Sequence, residues 1–141
     1  MKRKIISLCT LMLAVVMSVF ILVFCGGGNV KASVAEATET LVVIKIEKTD
    51  EKATLLDAME ALKEDEKLSF EISAGMITSI NGKANAADYS SCWMLYTSDS
   101  EMANAAWAIE YDGKMLGSAV VGAETLTVVE GEYYVWSYQT F

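Results

Sequence analysis

The sequence predicts a β-rich α+β single domain, one helix packed on a mixed or antiparallel sheet, and three observations carry that prediction. Leu41-Val42-Val43-Ile44-Lys45-Ile46-Glu47 is a β-branched run that turns to alternation at its end, the pattern of a strand. Thr54 opens the one amphipathic segment with a start signal of its own. From Leu68 onward, alternating apolar and polar residues are broken by Gly75, Asn81-Gly82 and Asp112-Gly113. Asn-Gly and Asp-Gly tolerate the positive φ that tight hairpin turns require.

The helix is argued residue by residue. Thr54 and Asp57 make a capping box, each side chain taking up an otherwise free backbone N–H at the start. Leu55, Met59 and Leu62 lie four and three apart, and Leu56 and Ala58 widen the stripe. Glu60, Lys63 and Glu64 hold the opposite face, and Asp65-Glu66-Lys67 closes the helix in solvent. The strands follow. Leu68, Phe70 and Ile72 alternate with Ser69, Glu71 and Ser73, a half-buried strand, and Met76–Ile80 resumes after Gly75. Lys83–Ser91 reads as a polar loop, Cys92–Tyr96 as a strand and Thr97–Asn104 as an acidic loop. Ala106–Tyr111 and Lys114–Leu116 flank Asp112-Gly113 as a hairpin. Gly117–Val121, Leu126–Val129 and Tyr133–Tyr138 supply the remaining short strands.

The beginning of the chain reads as a targeting segment, residues 1–32. Lys2, Arg3 and Lys4 form a positive start, and Ile5–Phe24 is an apolar run of 20 residues. That is beyond the usual apolar core of a signal peptide and long enough to span a bilayer. Three fates follow. Val30-Lys31-Ala32 and Ser33-Val34-Ala35 place small residues where a signal peptidase could cut. Leu22-Val23-Phe24-Cys25-Gly26 looks like the cysteine junction of bacterial lipoproteins, although Phe24 stands where that junction carries a small residue. The third fate is an uncleaved anchor. Residues 33–40, within a stretch rich in Gly, Ala, Ser and Thr, read as a flexible linker, leaving 41–141 as the domain. The expected location is outside the cytoplasm, secreted or held at the membrane by the N-terminal segment alone.

Charge and composition exclude several classes. From Ser33 onward 7 Lys stand against 19 Asp and Glu, a net charge of −12. Nucleic acid recognition needs basic patches that this field opposes. The chain holds no His, which removes Ser-His-Asp and Cys-His catalysis and every His-based zinc site. Cys92 is the one cysteine after the leader, so no disulfide forms within the domain; beside Trp93 it reads as a buried structural thiol. A non-catalytic protein is the expectation.

Two residue groups remain as binding candidates. Aromatics crowd the C-terminal half: Tyr89, Trp93, Tyr96, Trp107, Tyr111, Tyr133, Tyr134, Trp136, Tyr138 and Phe141. Trp and Tyr join an apolar body to a polar handle, which suits a planar ligand as well as a core. In the last strand Tyr134, Trp136 and Tyr138 share one face, Tyr133, Val135 and Ser137 the other. The loop Ser98-Asp99-Ser100-Glu101, with Asn104 after it, is rich in oxygen ligands, and Asp99, Glu101 and Asn104 make a candidate calcium or other metal site that lacks the full loop signature.

Thr54-Leu55-Leu56-Asp57-Ala58, Gly75-Met76-Ile77-Thr78-Ser79-Ile80-Asn81-Gly82 and Trp93-Met94-Leu95-Tyr96 together resemble the C-terminal domain of transcobalamin and intrinsic factor. They look closest to its bacterial relatives, carried as a domain of unknown function on exported Gram-positive proteins. The finish Tyr134-Val135-Trp136-Ser137-Tyr138 is similar too, and the resemblance spans Leu41 to Phe141. It implies a cobalamin (corrinoid) ligand: in transcobalamin-like proteins the domain closes over one face of cobalamin and a separate helical barrel holds the rest. On that basis Met76, Trp93 and Tyr96 lie near the corrin ring, with Trp136 a further aromatic contact, while Asn81 and Gly82 shape a turn. The 141 residues leave no segment for a helical barrel, and they hold no His to serve as an imidazole ligand to cobalt. Two aromatics covering about 100 Å² each contribute roughly 5 kcal/mol at 25 cal/mol/Å². Association costs an estimated 4–15 kcal/mol. A lone domain should bind weakly unless a partner supplies the other half-site. Three readings stay open: a corrinoid-binding surface module, a surface interaction or adhesion domain that has lost the ligand, and a metal-binding surface protein.

Overall fold

The computed structural model of the chain describes residues 28–141; the positive start, the apolar run and Cys25 lie outside the described residues. Nine strands and one α-helix follow in the order β1 (Val30–Ala37), β2 (Leu41–Thr49), α1 (Leu55–Glu64), β3 (Phe70–Ser73), β4 (Met76–Ile80), β5 (Lys83–Ala84), β6 (Ser91–Thr97), β7 (Ala103–Tyr111), β8 (Lys114–Ala119) and β9 (Tyr133–Thr140). Six strands form one sheet in the order β1-β2-β9-β6-β8-β7, and β3-β4-β5 form a second. Every described pairing is antiparallel, so of the two sheet types expected the structure has the antiparallel one.

The β-branched run sits where burial on both faces demands it. Val42, Ile44 and Ile46 of β2 enter the main core with Leu55, Ala58, Met59 and Leu62 of α1. Val43 points the other way and is equally buried in a second cluster with Tyr96, Leu116 and Val135. A strand covered on both sides has no polar face to show, hence a continuous apolar run in place of alternation. The capping box forms as the sequence requires: the Asp57 N–H donates to Thr54 Oγ1 at 3.3 Å and the Thr54 N–H to Asp57 Oδ2 at 2.8 Å. Thr54→Ala should therefore lower folding stability by about 1 kcal/mol, read as a shift in urea midpoint at unchanged slope.

Five expectations need correction. The smallest concerns Lys83 and Ala84, expected in a polar loop, which form the short strand β5 against Ile80 and Ser79. Residues 33–40 are not a flexible linker, and the domain does not begin at Leu41. β1 pairs with β2 from Val30 opposite Thr49 to Ala37 opposite Val42, and Val30, Ala32 and Val34 pack against the core. Small side chains do not prevent a strand whose pairing is made by backbone atoms. Leu126–Val129 is not a strand either. The Leu55 N–H donates to the Leu126 carbonyl (2.8 Å), the Val128 N–H to the Ala53 carbonyl (3.0 Å), and Thr54 and Thr127 form an isolated bridge. The Leu126 carbonyl thus takes up one of the N–H groups that a helix start leaves free, and the Val128 N–H ties the segment to the residue before the cap. The stretch expected as two strands, Lys114–Leu116 and Gly117–Val121, is the single strand β8. The acidic loop Thr97–Asn104 is shorter than expected, with a 3-10 turn at Ser100–Met102 and β7 beginning at Ala103.

Both tight turns are as the dipeptides require: φ is 48° and 82° at Asn81 and Gly82, and 48° and 74° at Asp112 and Gly113. The hairpin β7–β8 makes ladder pairings with β6 only where Tyr96 faces Ser118 and Thr97 faces Gly117. Beyond that point it pairs with itself and folds across the second face of the main sheet. Leu116 is fully buried there, Tyr111 lies 5.9 Å from Tyr133 between ring centres, and the Lys114 ammonium sits 5.6 Å above the Tyr133 ring. Burial raises the Tyr111 hydroxyl pKa, and the nearby Glu36 carboxylate of β1 adds to the shift.

Candidate functional site

Of the four residues expected to contact a ligand, the fold brings two together on one face and buries three. Trp93 on β6 and Trp136 on β9 lie in the main core, each 5% exposed. Trp93 is fixed by its indole N–H, which donates to the Lys83 carbonyl at 2.8 Å, and by an edge-on contact with Tyr138 at 5.3 Å. The Trp136 indole N–H is buried and meets no acceptor among the described residues. Tyr96 points to the opposite face and is 8% exposed, and burial holds its hydroxyl pKa above the usual phenol value. Met76, 53% exposed at the start of β4, is the one member open to solvent. Trp93, Tyr96 and Trp136 are therefore core residues, and the four do not form a surface on which a corrin ring could lie.

The reason lies in strand alternation combined with cover on both sides. Trp93 and Leu95 face the side occupied by α1 and the small sheet; Met94 and Tyr96 face the β7–β8 hairpin. Cys92, half-buried, points its thiol at the Met94 sulfur 3.8 Å away.

The oxygen-rich loop is likewise committed to backbone. Asp99 caps the 3-10 turn, accepting the Glu101 N–H at 3.0 Å, and the Asn104 side-chain carbonyl accepts the Ala106 N–H at 3.0 Å. No group of three His, Cys, Asp or Glu placed to hold a metal occurs among the described residues. Asp99, Glu101 and Asn104 are thus a turn cap, a solvent-exposed carboxylate and a bulge clasp, not a converging ligand set.

Two open grooves meet at Asn81. One, about 480 Å³, is lined by Thr38, Glu39, Ile80, Asn81, Gly82 and Lys83. The other, about 340 Å³, runs between the end of α1 and the start of β3, with Lys63, Lys67 and Ser69 on its walls. Asn81 joins them structurally, its side-chain oxygen accepting the Ser69 N–H at 3.0 Å. Lys83 sits above the Tyr138 ring at 4.3 Å, and Lys63 above Phe70 at 4.8 Å, so both ammonium groups are held against aromatic faces.

The surface that the sequence did not single out is the outer edge of the main sheet. Between Asn104, opposite Ser118, and Ala108, opposite Gly117, β7 carries three extra residues, Ala105, Ala106 and Trp107. The close approach that makes this bulge depends on Gly117, where a Cβ would lie 2.8 Å from Ala103 Cβ and 2.9 Å from the Asn104 carbonyl oxygen. Trp107 is 69% exposed and Met115, on the same hairpin, 66%. The sequence shows aromatics crowded late in the chain, but only pairing register reveals which tryptophan is displayed. No family model, no curated protein and no solved structure matches the chain.

Proposed function

We propose that the chain is an exported, non-catalytic surface module that engages a partner protein through its exposed hairpin edge, and that its aromatic strands serve the core. The domain is read as α+β, with α1 packed on the antiparallel sheet through Leu55, Ala58, Met59 and Leu62. Burial of Trp93, Tyr96 and Trp136 carries this proposal, because it removes the aromatic platform on which a corrinoid site would depend. Trp107 on the β7 bulge offers what interface anchors need, a large side chain with a polar handle projecting from a fixed backbone. β7 is also an edge strand, with backbone groups free to pair with a partner's strand. The export reading rests on Lys2-Arg3-Lys4 and the apolar run Ile5–Phe24. The non-catalytic reading rests on the missing histidine and on carboxylates such as Asp50 and Asp88, whose pKa values are lowered by backbone and hydroxyl hydrogen bonds, opposite to the shift a general acid requires.

A second reading retains the small ligand and moves it to the groove at Asn81. The larger groove falls within the size range of small-molecule sites. It is backed by Lys83, whose carbonyl holds Trp93, so occupancy there should register in Trp93 emission. The two readings separate in one titration. Cyanocobalamin is added to residues 28–141, with tryptophan fluorescence corrected for inner-filter absorption and calorimetry as the check. No saturable change up to the solubility limit is the expected result. Saturable quenching with matching heat at micromolar ligand would overturn the interaction-module proposal in favour of the groove.

A further inference from the structure

We propose that export processing spares β1: the mature protein keeps everything from Gly28 onward, and neither small-residue junction, after Ala32 or after Ala35, is used. The inference rests on the export reading above. Its support is the way the segment before Leu41 is built into the fold. Cutting after Ala32 would remove the pairings of Val30, Lys31 and Ala32 with Thr49, Lys48 and Ile46. Cutting after Ala35 would leave only Glu36 and Ala37 of the strand. Either loss uncovers the backbone edge of β2, an invitation to aggregation that folded proteins normally block, and takes away apolar side chains that pack on the core.

The chain is stitched in even further upstream. The Asn29 N–H donates to Asp50 Oδ2 at 2.7 Å, and the Asp50 N–H returns a bond to the Asn29 carbonyl at 3.0 Å. The other oxygen of Asp50 accepts the N–H groups of Lys52 and Ala53, both at 3.0 Å, fixing the turn that leads into α1. The Asn29 bond is the largest cause of the lowered Asp50 pKa, so the carboxylate is held in its charged form by the residue that premature cleavage would take. Gly28 lies flat on Ala53: a Cβ there would stand 2.5 Å from the Ala53 Cα, so no other residue fits without backbone movement. A leader's disposable tail has no need of such contacts.

One consequence concerns placement. Cys25 precedes Gly28 by three residues, a reach of at most about 11 Å. A lipid on Cys25, or an uncleaved apolar run, would hold the Asn29–Asp50 end of the domain against the membrane surface, with no tether to lift it away.

The test is the mature N-terminus of the full chain expressed in an exporting bacterium, with cytosol, membrane and medium separated and the product read by intact mass and peptide mapping. A chain beginning at Cys25 with the mass of a lipid, or retaining the apolar run, is expected. An exported chain beginning at Ser33 or Glu36 would overturn the proposal. Full-length chain confined to the cytosol is a different failure, sinking the export reading itself. Hydrogen exchange on the purified exported protein adds a second readout. Amides 30–37 should be protected with those of β2, and free exchange across them would overturn the assignment of β1 to the mature fold.

Discussion

Trp93→Ala should destabilise the domain by about 3–5 kcal/mol, the range for deleting a buried aromatic side chain. It should do so whether or not any corrinoid is present. Three losses combine. The indole leaves a cavity in the main core, its edge contact with Tyr138 disappears, and the Lys83 carbonyl loses the N–H that satisfied it. The last matters beyond its own bond, because Trp93 ties the main sheet to β5 of the small one. Tyr138, through its hydroxyl to the Ala84 carbonyl at 2.9 Å, makes the parallel tie. Trp93→Phe separates the contributions, since it keeps an aromatic body and removes only the N–H and part of the volume. Its cost should be clearly smaller. Urea denaturation of both variants checks the order. A Trp93→Ala protein as stable as the parent would mean that the indole is not where the core places it, and would reopen its candidacy as a ligand contact.

Much of this fold is legible in the sequence, and what was missed shares a physical cause. β2, α1 and the two Asn-Gly and Asp-Gly turns are specified by local chemistry: β-branching, a side-chain cap and tolerance of positive φ. The division of β9 into two faces is also readable. Tyr134, Trp136 and Tyr138 do fall in or against one cluster, Tyr133 and Val135 in the other. Alternation, however, says only that neighbours point in opposite directions. It does not say whether anything lies on the far side. The resemblance puts Tyr96 near a ligand, and nothing in its own segment shows that its face is covered by a hairpin some twenty residues later in the chain. β1 was missed for a related reason: its Ala and Ser carry no strand signal, and its pairing with β2 is a tertiary fact. The bulge at 105–107 overlaps the start of Ala106–Tyr111, which reads as regular strand, so nothing in the sequence sets the exposed Trp107 apart from the buried tryptophans.

Leu116→Ala is the substitution that decides whether the hairpin covers the second face in solution. Leu116 is fully buried with Val43, Tyr96 and Val135, one residue from each of three other strands. The expected cost is about 2–5 kcal/mol, and where it falls is as informative as its size. The hairpin beyond Ala108 makes no ladder bonds to the sheet, so it stays down through side-chain contacts, among them Leu116, Ile109, the Tyr111–Tyr133 pair and Lys114 over Tyr133. Weakening the largest of these should let residues 106–116 exchange amide hydrogens faster than α1 does, a local opening before global unfolding. Met115→Ala supplies the internal control. Met115 is next in the chain but points to solvent, and its truncation should change stability by no more than about 0.5 kcal/mol. If the two variants cost the same, the hairpin does not lie on the sheet, and Tyr96 would stand open on a bare apolar face. If they differ as expected, the second face is sealed by the hairpin, and Tyr96 belongs to the packed interior beneath it.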